Sequence, residues 1–326
     1  MLYPLTFHPI YMERIWGGRS LERLFERVLP PTQRIGEAWE ISDRPGAVSS
    51  IANGPLAGKS LRWLMEHQGE QLMGTTQAGA CFPLLIKLLD ASQNLSLQVH
   101  PPASIAAELG GEPKAELWYV AEARPGAELF VGLKLGVTRQ EFERRLADGH
   151  VADCFHRVPV RAGDAMYLPS GRVHAIGSGI VLIEIQQNSD TTYRVFDWNR
   201  LDSNGKAREL HVAKSLASID FDDFEPSLVA GEFSGGPFGR RPLASNPSFT
   251  VEEWDLPAMV EIQIRDRQMC VIGLVAGTLT IESPRETVRL AAGQFSLIPA
   301  RAPEVVMRTS VASRVLRTTL GSSENV

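Results

Sequence analysis

The residues best placed to do chemistry begin in the stretch Asn94-Leu95-Ser96-Leu97-Gln98-Val99-His100-Pro101-Pro102. It reads as a buried strand ended by a proline break. Leu95, Leu97 and Val99 share one parity, and Ser96, Gln98 and His100 share the other. Successive strand side chains point to opposite faces, so Gln98 and His100 project from the same side, about 7 Å apart. An amide and an imidazole turned inward among apolar neighbours must be satisfied. A bound metal ion does that, and so does a hydrogen-bonded polar pair at a strand end. This stretch alone leaves both readings open.

A second constellation is Gly163-x5-Pro169-x-Gly171-x2-His174. Glycine makes a tight turn into a strand, and the proline and glycine force a hairpin at its far end. His174 then returns near the start of the next strand, held by rigid backbone as a metal ligand should be. Beyond the expected strand Val181–Gln186 lies Asp190-Thr191-Thr192-Tyr193-Arg194, where Arg194 alternates with Tyr193 and Val195. That alternation can aim a permanently charged guanidinium at the side His174 occupies, or leave it in a salt bridge with Asp190 or Asp197. Lys87 interrupts the apolar run Phe82–Leu89, an expensive place for a charge without an anionic partner. It is a candidate for holding a phosphate.

These residues need strands to position them. Phe82–Asp90 and Leu95–His100 read as two strands joined by Ala91-Ser92-Gln93, and Glu116–Val120 as another. Helices are expected after Ser60, with Leu61, Leu64 and Met65 on one face, after Ser104 as far as Gly110-Gly111, and from the Thr138/Glu141 capping box to about Leu146. From Val158 onward, short alternating runs are punctuated by glycine every 8–12 residues, as in an antiparallel sandwich or barrel. A polar linker is expected near 222–245. An internal repeat lays residues 161–174 beside 291–304: both carry glycine, five residues, then proline, and Arg301 and Glu304 stand where the first copy has Gly171 and His174. The fold expected is mainly β, with two related barrels and short helical insertions. Residues 1–225 form the polar-site unit and 245–326 a second unit that lost it.

Composition narrows the function classes. With 326 residues, 44% hydrophobic and 22% charged, the chain can bury one large core or two ordinary ones. The net charge of −5 argues against nonspecific nucleic-acid binding, while leaving a small anionic substrate open. No signal peptide or membrane-length apolar run is read. Cys81, Cys154 and Cys270 are odd in number and widely spaced, which fits free thiols in a reducing cytoplasm.

The spacing from Gly163 to His174 resembles the second motif of the cupin superfamily. Within it, LSLQVHPP, the segment KAELWYV with Lys114 and Glu116, GRVHAIG and DTTYRVFDWNR, together with the amino-terminal ERIWGG, are similar to type I phosphomannose isomerases. The likeness covers about residues 8–211, and its motifs occur in the family's order. It implies two jelly-roll barrels and a zinc ion held by Gln98, His100, Glu116 and His174. A set of oxygen and nitrogen donors with one negative charge also suits a divalent borderline cation on chemical grounds. The activity implied is interconversion of mannose 6-phosphate and fructose 6-phosphate through an enediol-type intermediate, on a small sugar phosphate as partner. Arg194 takes the family's catalytic arginine position, and Asp190 would orient it or join a proton relay. Lys114, two residues before Glu116, would hold a sugar oxygen or the phosphate, and Ser96 would add a hydroxyl. A cupin metal dioxygenase and a non-catalytic sugar-binding protein are the alternatives. The first is disfavoured by Gln98 and the second by retention of the donors in the first copy. Oligomeric state is not legible in the sequence.

Overall fold

The computed structural model describes residues 1–75, 81–201, 205–265 and 268–321. The chain is mainly β and divides into two compact units. Tyr11–Glu37 with Leu88–Val229 form one, and Met1–Ile10, Ala38–Lys87 and Ala230–Val326 form the other. Among the described residues no helix is long and apolar enough to cross a membrane.

The unit that holds Gln98 and His174 is built on two antiparallel sheets. One has, side by side within this unit, the stretch 88–91 and the strands Ile180–Gln187, Glu116–Ala123 and Ala165–Leu168. The other runs Tyr193–Phe196, Leu97–Val99, His174–Ile176, Glu128–Leu133, Phe155–Pro159. One core joins the facing sides: Leu89, Trp118, Val120, Met166 and Leu182 pack with Leu129, Val131 and Ile176. The opposite face of the second sheet presents Leu97, Val99, Phe130 and Ala175 to a separate core with Phe142, Phe155 and Leu216. That face lies under the helix Arg139–Ala147 and the helix Val212–Ser218. Burial of that face explains the alternation around Gln98: Leu97 and Val99 point into this core, while Gln98 points to the other side.

Turn chemistry follows the sequence closely here. Gly163 and Gly171 adopt φ of +90° and +95°, a region that L side chains rarely enter. The Gly171 N–H donates to the His100 carbonyl at 2.8 Å, so the hairpin before His174 is tied to the strand end that carries His100. Thr138 caps its helix, its hydroxyl accepting from the Glu141 N–H at 3.2 Å. Ser60 caps Leu61–Met73 in the same way through Trp63, at 3.0 Å. Two expectations change. The segment after Ser104 is a run of turns and not a helix; it closes at Gly110, whose φ of +68° ends any right-handed continuation. The stretch expected as linker already carries the strand Gly239–Ser245.

The other unit has the sheets Gly239–Ser245, Phe249–Leu256, Ser313–Leu320, Cys270–Ala276, Phe295–Ile298 and Glu261–Ile264, Val305–Arg308, Leu279–Glu282, Thr287–Leu290. Its core, with Trp254, Ile272 and Val315 against Ile281, Val305 and Met307, lies between them. The strand order matches that of the first unit strand for strand, apart from the outermost members. Glu116 pairs with Leu168 on one side and Gln186 on the other, whereas Cys270 pairs with Ile298 and Thr319. The first unit's His174 pairs with Gln98, whereas Val305 pairs with Ile264. The sequence repeat set Glu304 against His174. The pairing sets Val305 there, because the loop after Pro299 is one residue longer than that after Pro169.

Candidate metal centre

Three buried groups converge in the first unit. His100, Glu116 and His174 are each at most 1% exposed, and one ligand atom from each lies within 4.8 Å of the others. His100 Nε2 is 3.2 Å from Glu116 Oε1, His174 Nε2 is 4.0 Å from Glu116 Oε2, and the imidazole centroids are 4.8 Å apart. His174 opens the strand His174–Ile176, directly opposite Gln98, and Arg194 lies across Gln98 on its other side. Residues opposite one another in an antiparallel pair share a face. Gln98, His174 and Arg194 therefore face one side of the sheet.

Backbone carbonyls fix both imidazole tautomers. His100 Nδ1 bonds the Thr191 carbonyl at 2.8 Å, and His174 Nδ1 bonds the Arg172 carbonyl at 2.9 Å. A carbonyl only accepts, so each Nδ1 carries the proton and each Nε2 presents a lone pair to the centre. Burial pushes the basicity of both rings down, His174 to about 3 with His100 beside it, and His100 with help from Lys114. Burial alone would raise Glu116. The Lys114 ammonium leads the neighbours that outweigh it and hold the carboxyl well below the usual carboxylate range. The centre thus presents one carboxylate and two neutral imidazoles, the protonation state that a cation requires.

The donor atoms also fail to satisfy one another. His100 Nε2 and both Glu116 oxygens are buried without a hydrogen bond of acceptable geometry, although Lys114 Nζ approaches Oε1 to 2.6 Å. The Gln98 amide nitrogen lies 3.3 Å from His174 Nε2. Turning that amide over would bring Oε1 to the same place, where it and Nε2 could share a cation but not a proton. Orphaned lone pairs on one carboxylate and an imidazole, on atoms buried from water, are what a divalent ion would complete. The residues present fit such an ion.

The other expected site residues distribute unevenly. Lys114 is 4% exposed, with its backbone N–H on Ser170 Oγ at 2.9 Å and its ammonium on Glu116. Arg194 donates through Nη1 to the Glu209 carbonyl at 2.7 Å, its buried Nε has no hydrogen-bond partner, and burial and Arg208 lower its basicity. The alternative salt bridge to Asp197 is taken instead by Arg200 and Arg208. Ser96 is buried just outside the strand and Asp190 is exposed; neither makes a hydrogen bond or ion pair with the donor group among the described residues. Lys87 is buried in the other unit, its ammonium 5.2 Å from the Trp39 ring centroid.

Sequence reasoning missed the residues that aim the donors. Thr191 and Arg172 act through main-chain carbonyls, which no side-chain pattern reveals. His211 accepts the Arg194 backbone N–H through Nδ1 at 3.1 Å. Gln186 stands opposite Glu116, fully buried, with its amide nitrogen held by the Gln187 and Ser189 carbonyls at 2.8 and 2.7 Å. A second polar residue on the parity of Glu184, closing the strand-forming run Val181–Ile185, was the available signal.

Comparison with known proteins identifies the family. The family described as phosphomannose isomerase type I, catalytic domain, matches residues 5–125. The mannose-6-phosphate isomerase of Streptococcus mutans is 36% identical over 92% of this chain and 93% of its own. The crystal structure of the Bacillus subtilis mannose 6-phosphate isomerase superposes with a TM-score of 0.88 at 31% identity, over 97% of this chain and 99% of the other. A zinc-bound mannose 6-phosphate isomerase shares the fold at 18% identity and a TM-score of 0.79, over 98% and 100% of the two chains. The chain belongs to the type I phosphomannose isomerase family.

Proposed function

We propose that this chain is a zinc-dependent aldose–ketose isomerase that interconverts mannose 6-phosphate and fructose 6-phosphate through an enediol-type intermediate. One observation carries the reading. Two neutral imidazoles and an ionised carboxylate converge, fully buried and with orphaned lone pairs, beside a buried lysine. The two β-units, with their matching strand orders, are read as a pair of cupin-type barrels, the metal-bearing one within 1–225 and a degenerate one within 245–326.

Gln98, His100, Glu116 and His174 would hold the ion. When bound, zinc supplies Lewis acidity toward the sugar's carbonyl and hydroxyl oxygens. The remaining work falls to side chains. Moving a proton between C1 and C2 builds negative charge on an oxygen, and a fixed cation aimed at that oxygen lowers the barrier. Arg194 has that role in this reading. Its guanidinium shares a sheet face with Gln98 and His174 and stays charged at any working pH. Lys114 binds a sugar oxygen or the phosphate from within the centre, and Ser96 offers a hydroxyl. Asp190 orients Arg194 or relays a proton from the solvent side.

The decisive experiment is a coupled assay of fructose 6-phosphate formation from mannose 6-phosphate, on protein stripped with a chelator and then reloaded with zinc. Activity should vanish and return. Turnover that survives stripping, with zinc shown to be absent, ends the metal reading. Zinc-loaded protein without turnover ends the isomerase reading.

A further inference from the structure

The unit formed by Met1–Ile10, Ala38–Lys87 and Ala230–Val326 also has an opening between its sheets, a cavity of about 240 Å³. Arg240, Glu252, Trp254, Ile264, Arg265 and Arg317 are among the residues that line it. Strand pairing puts the charged groups there deliberately. Arg240 stands opposite Trp254, and Arg317 lies between Glu252 and Ile272 on adjoining strands. Trp254 and Ile272 belong to the core between the sheets, so both arginines issue from the inner face.

Aromatic stacking fixes the guanidinium planes. Arg240 lies 4.9 Å from the Trp254 centroid and 4.7 Å from that of Phe238, and Arg317 lies 5.5 Å from Trp254. A guanidinium stacked on a ring keeps its N–H edges available, and a pre-oriented edge is the geometry that matches an oxyanion in two-pronged fashion. The local charge is unbalanced. Among the described residues, three arginines line the cavity with a single carboxylate, Glu252, which already accepts from Trp254 Nε1 at 3.2 Å and lies 3.4 Å from Arg317. Among the described residues neither Arg240 nor Arg265 pairs with a carboxylate, and Arg265 rests on the Gln263 amide oxygen at 3.0 Å. With Glu252 taken by Arg317 and Trp254, Arg240 and Arg265 keep a positive charge at the cavity that an entering anion would offset.

The contrast with the metal centre strengthens the argument. Relative to the rung that carries Glu116 and Gln186 in one unit and Cys270 and Thr319 in the other, Arg317 takes the place that Glu184 takes in the first unit. The inner face that carries acids around a cation site carries bases here. We propose that this cavity binds a small phosphorylated molecule, its phosphate gripped by Arg240, Arg265 and Arg317 and its organic part lying against Ile262 and Ile264. A volume equal to about eight liquid waters exceeds what a lone oxyanion fills.

The site is separate from the isomerase reading and is tested without turnover. Inorganic phosphate and mannose 6-phosphate are titrated calorimetrically into the full chain at physiological ionic strength. The His174→Val protein is used, so that metal-borne binding is removed. Saturable binding should weaken at least about tenfold in Arg240→Ala and again in Arg265→Ala. Both side chains are exposed, and both substitutions leave the Arg317–Glu252 contact in place, so folding should survive; unchanged melting confirms it. No saturable phosphate binding, binding indifferent to both substitutions, or equal binding of acetate would overturn the proposal.

Discussion

The two units use one strand order for two different interiors, and the difference lies on a few rungs. On the first unit's rungs stand Glu116 with Leu168 and Gln186, and His174 with Gln98. On the matching rungs of the other stand Cys270 with Ile298 and Thr319, and Val305 with Ile264. Apart from the half-buried Gln98 and Ile264, both sets are buried, between sheets that otherwise pack leucine, isoleucine and valine in the same manner. The sandwich therefore does not require a polar centre. It supplies fixed positions, and side-chain chemistry at those positions decides whether a metal centre can form on these rungs. Because the apolar version is the cheaper one to bury, the polar version implies a compensating ligand.

That comparison can be broken from the polar side. His174→Val gives the first unit its counterpart's residue, and both metal content and turnover should fall to background. The metal-free variant should stay folded, losing at most the roughly 1–3 kcal/mol of an unpaired Arg172 carbonyl, as read from denaturant unfolding. Retained zinc in this variant would show that the donors have been misassigned. Arg194→Ala should lower turnover by about 10²–10³-fold while metal content stays at one per chain, because the guanidinium is not a donor. Zinc analysis alongside kcat separates the two roles.

From the apolar side, Val305→His buries an imidazole where no carboxylate faces it. Destabilisation of about 1–3 kcal/mol without metal uptake is expected in chemical unfolding monitored with and without zinc. Zinc-dependent recovery would mean that one rung is enough to make a site. The smallest effect concerns Asp197, which burial would raise but which Arg208 and Arg200 hold below its ordinary 3.8. The unfolded chain then binds the proton first as pH falls. This contribution is present above pH 3.8 and disappears as pH drops through the lower folded value. Asp197→Asn should flatten that acid limb of the stability curve without moving the neutral plateau's pH dependence.

Much of this was legible in order along the chain. Alternation at Leu95–His100 and the glycine–proline spacing before His174 report backbone geometry directly, and the structure keeps both. The capping pair Thr138/Glu141 is equally local. The segment after Ser104 misled because a plausible cap says where a helix can start, whereas a helix also needs a buried face to repay its ordering. The alignment of Glu304 with His174 misled because a one-residue difference in loop length is invisible until strands pair. A one-residue slip moves a side chain to the opposite face.

By itself the sequence determined which atoms were on offer: two imidazoles, an amide, a carboxylate and two long cations, on segments whose local periodicity makes them strands. Only the tertiary structure decided which lone pairs meet. The tautomers of His100 and His174 are set by carbonyls of Thr191 and Arg172, and the charge of Glu116 is set by neighbours that burial brings within a few ångströms. Those are long-range contacts between segments far apart in order. Electrostatic and desolvation energies depend on distance and burial, neither of which is written in the order of residues along a chain.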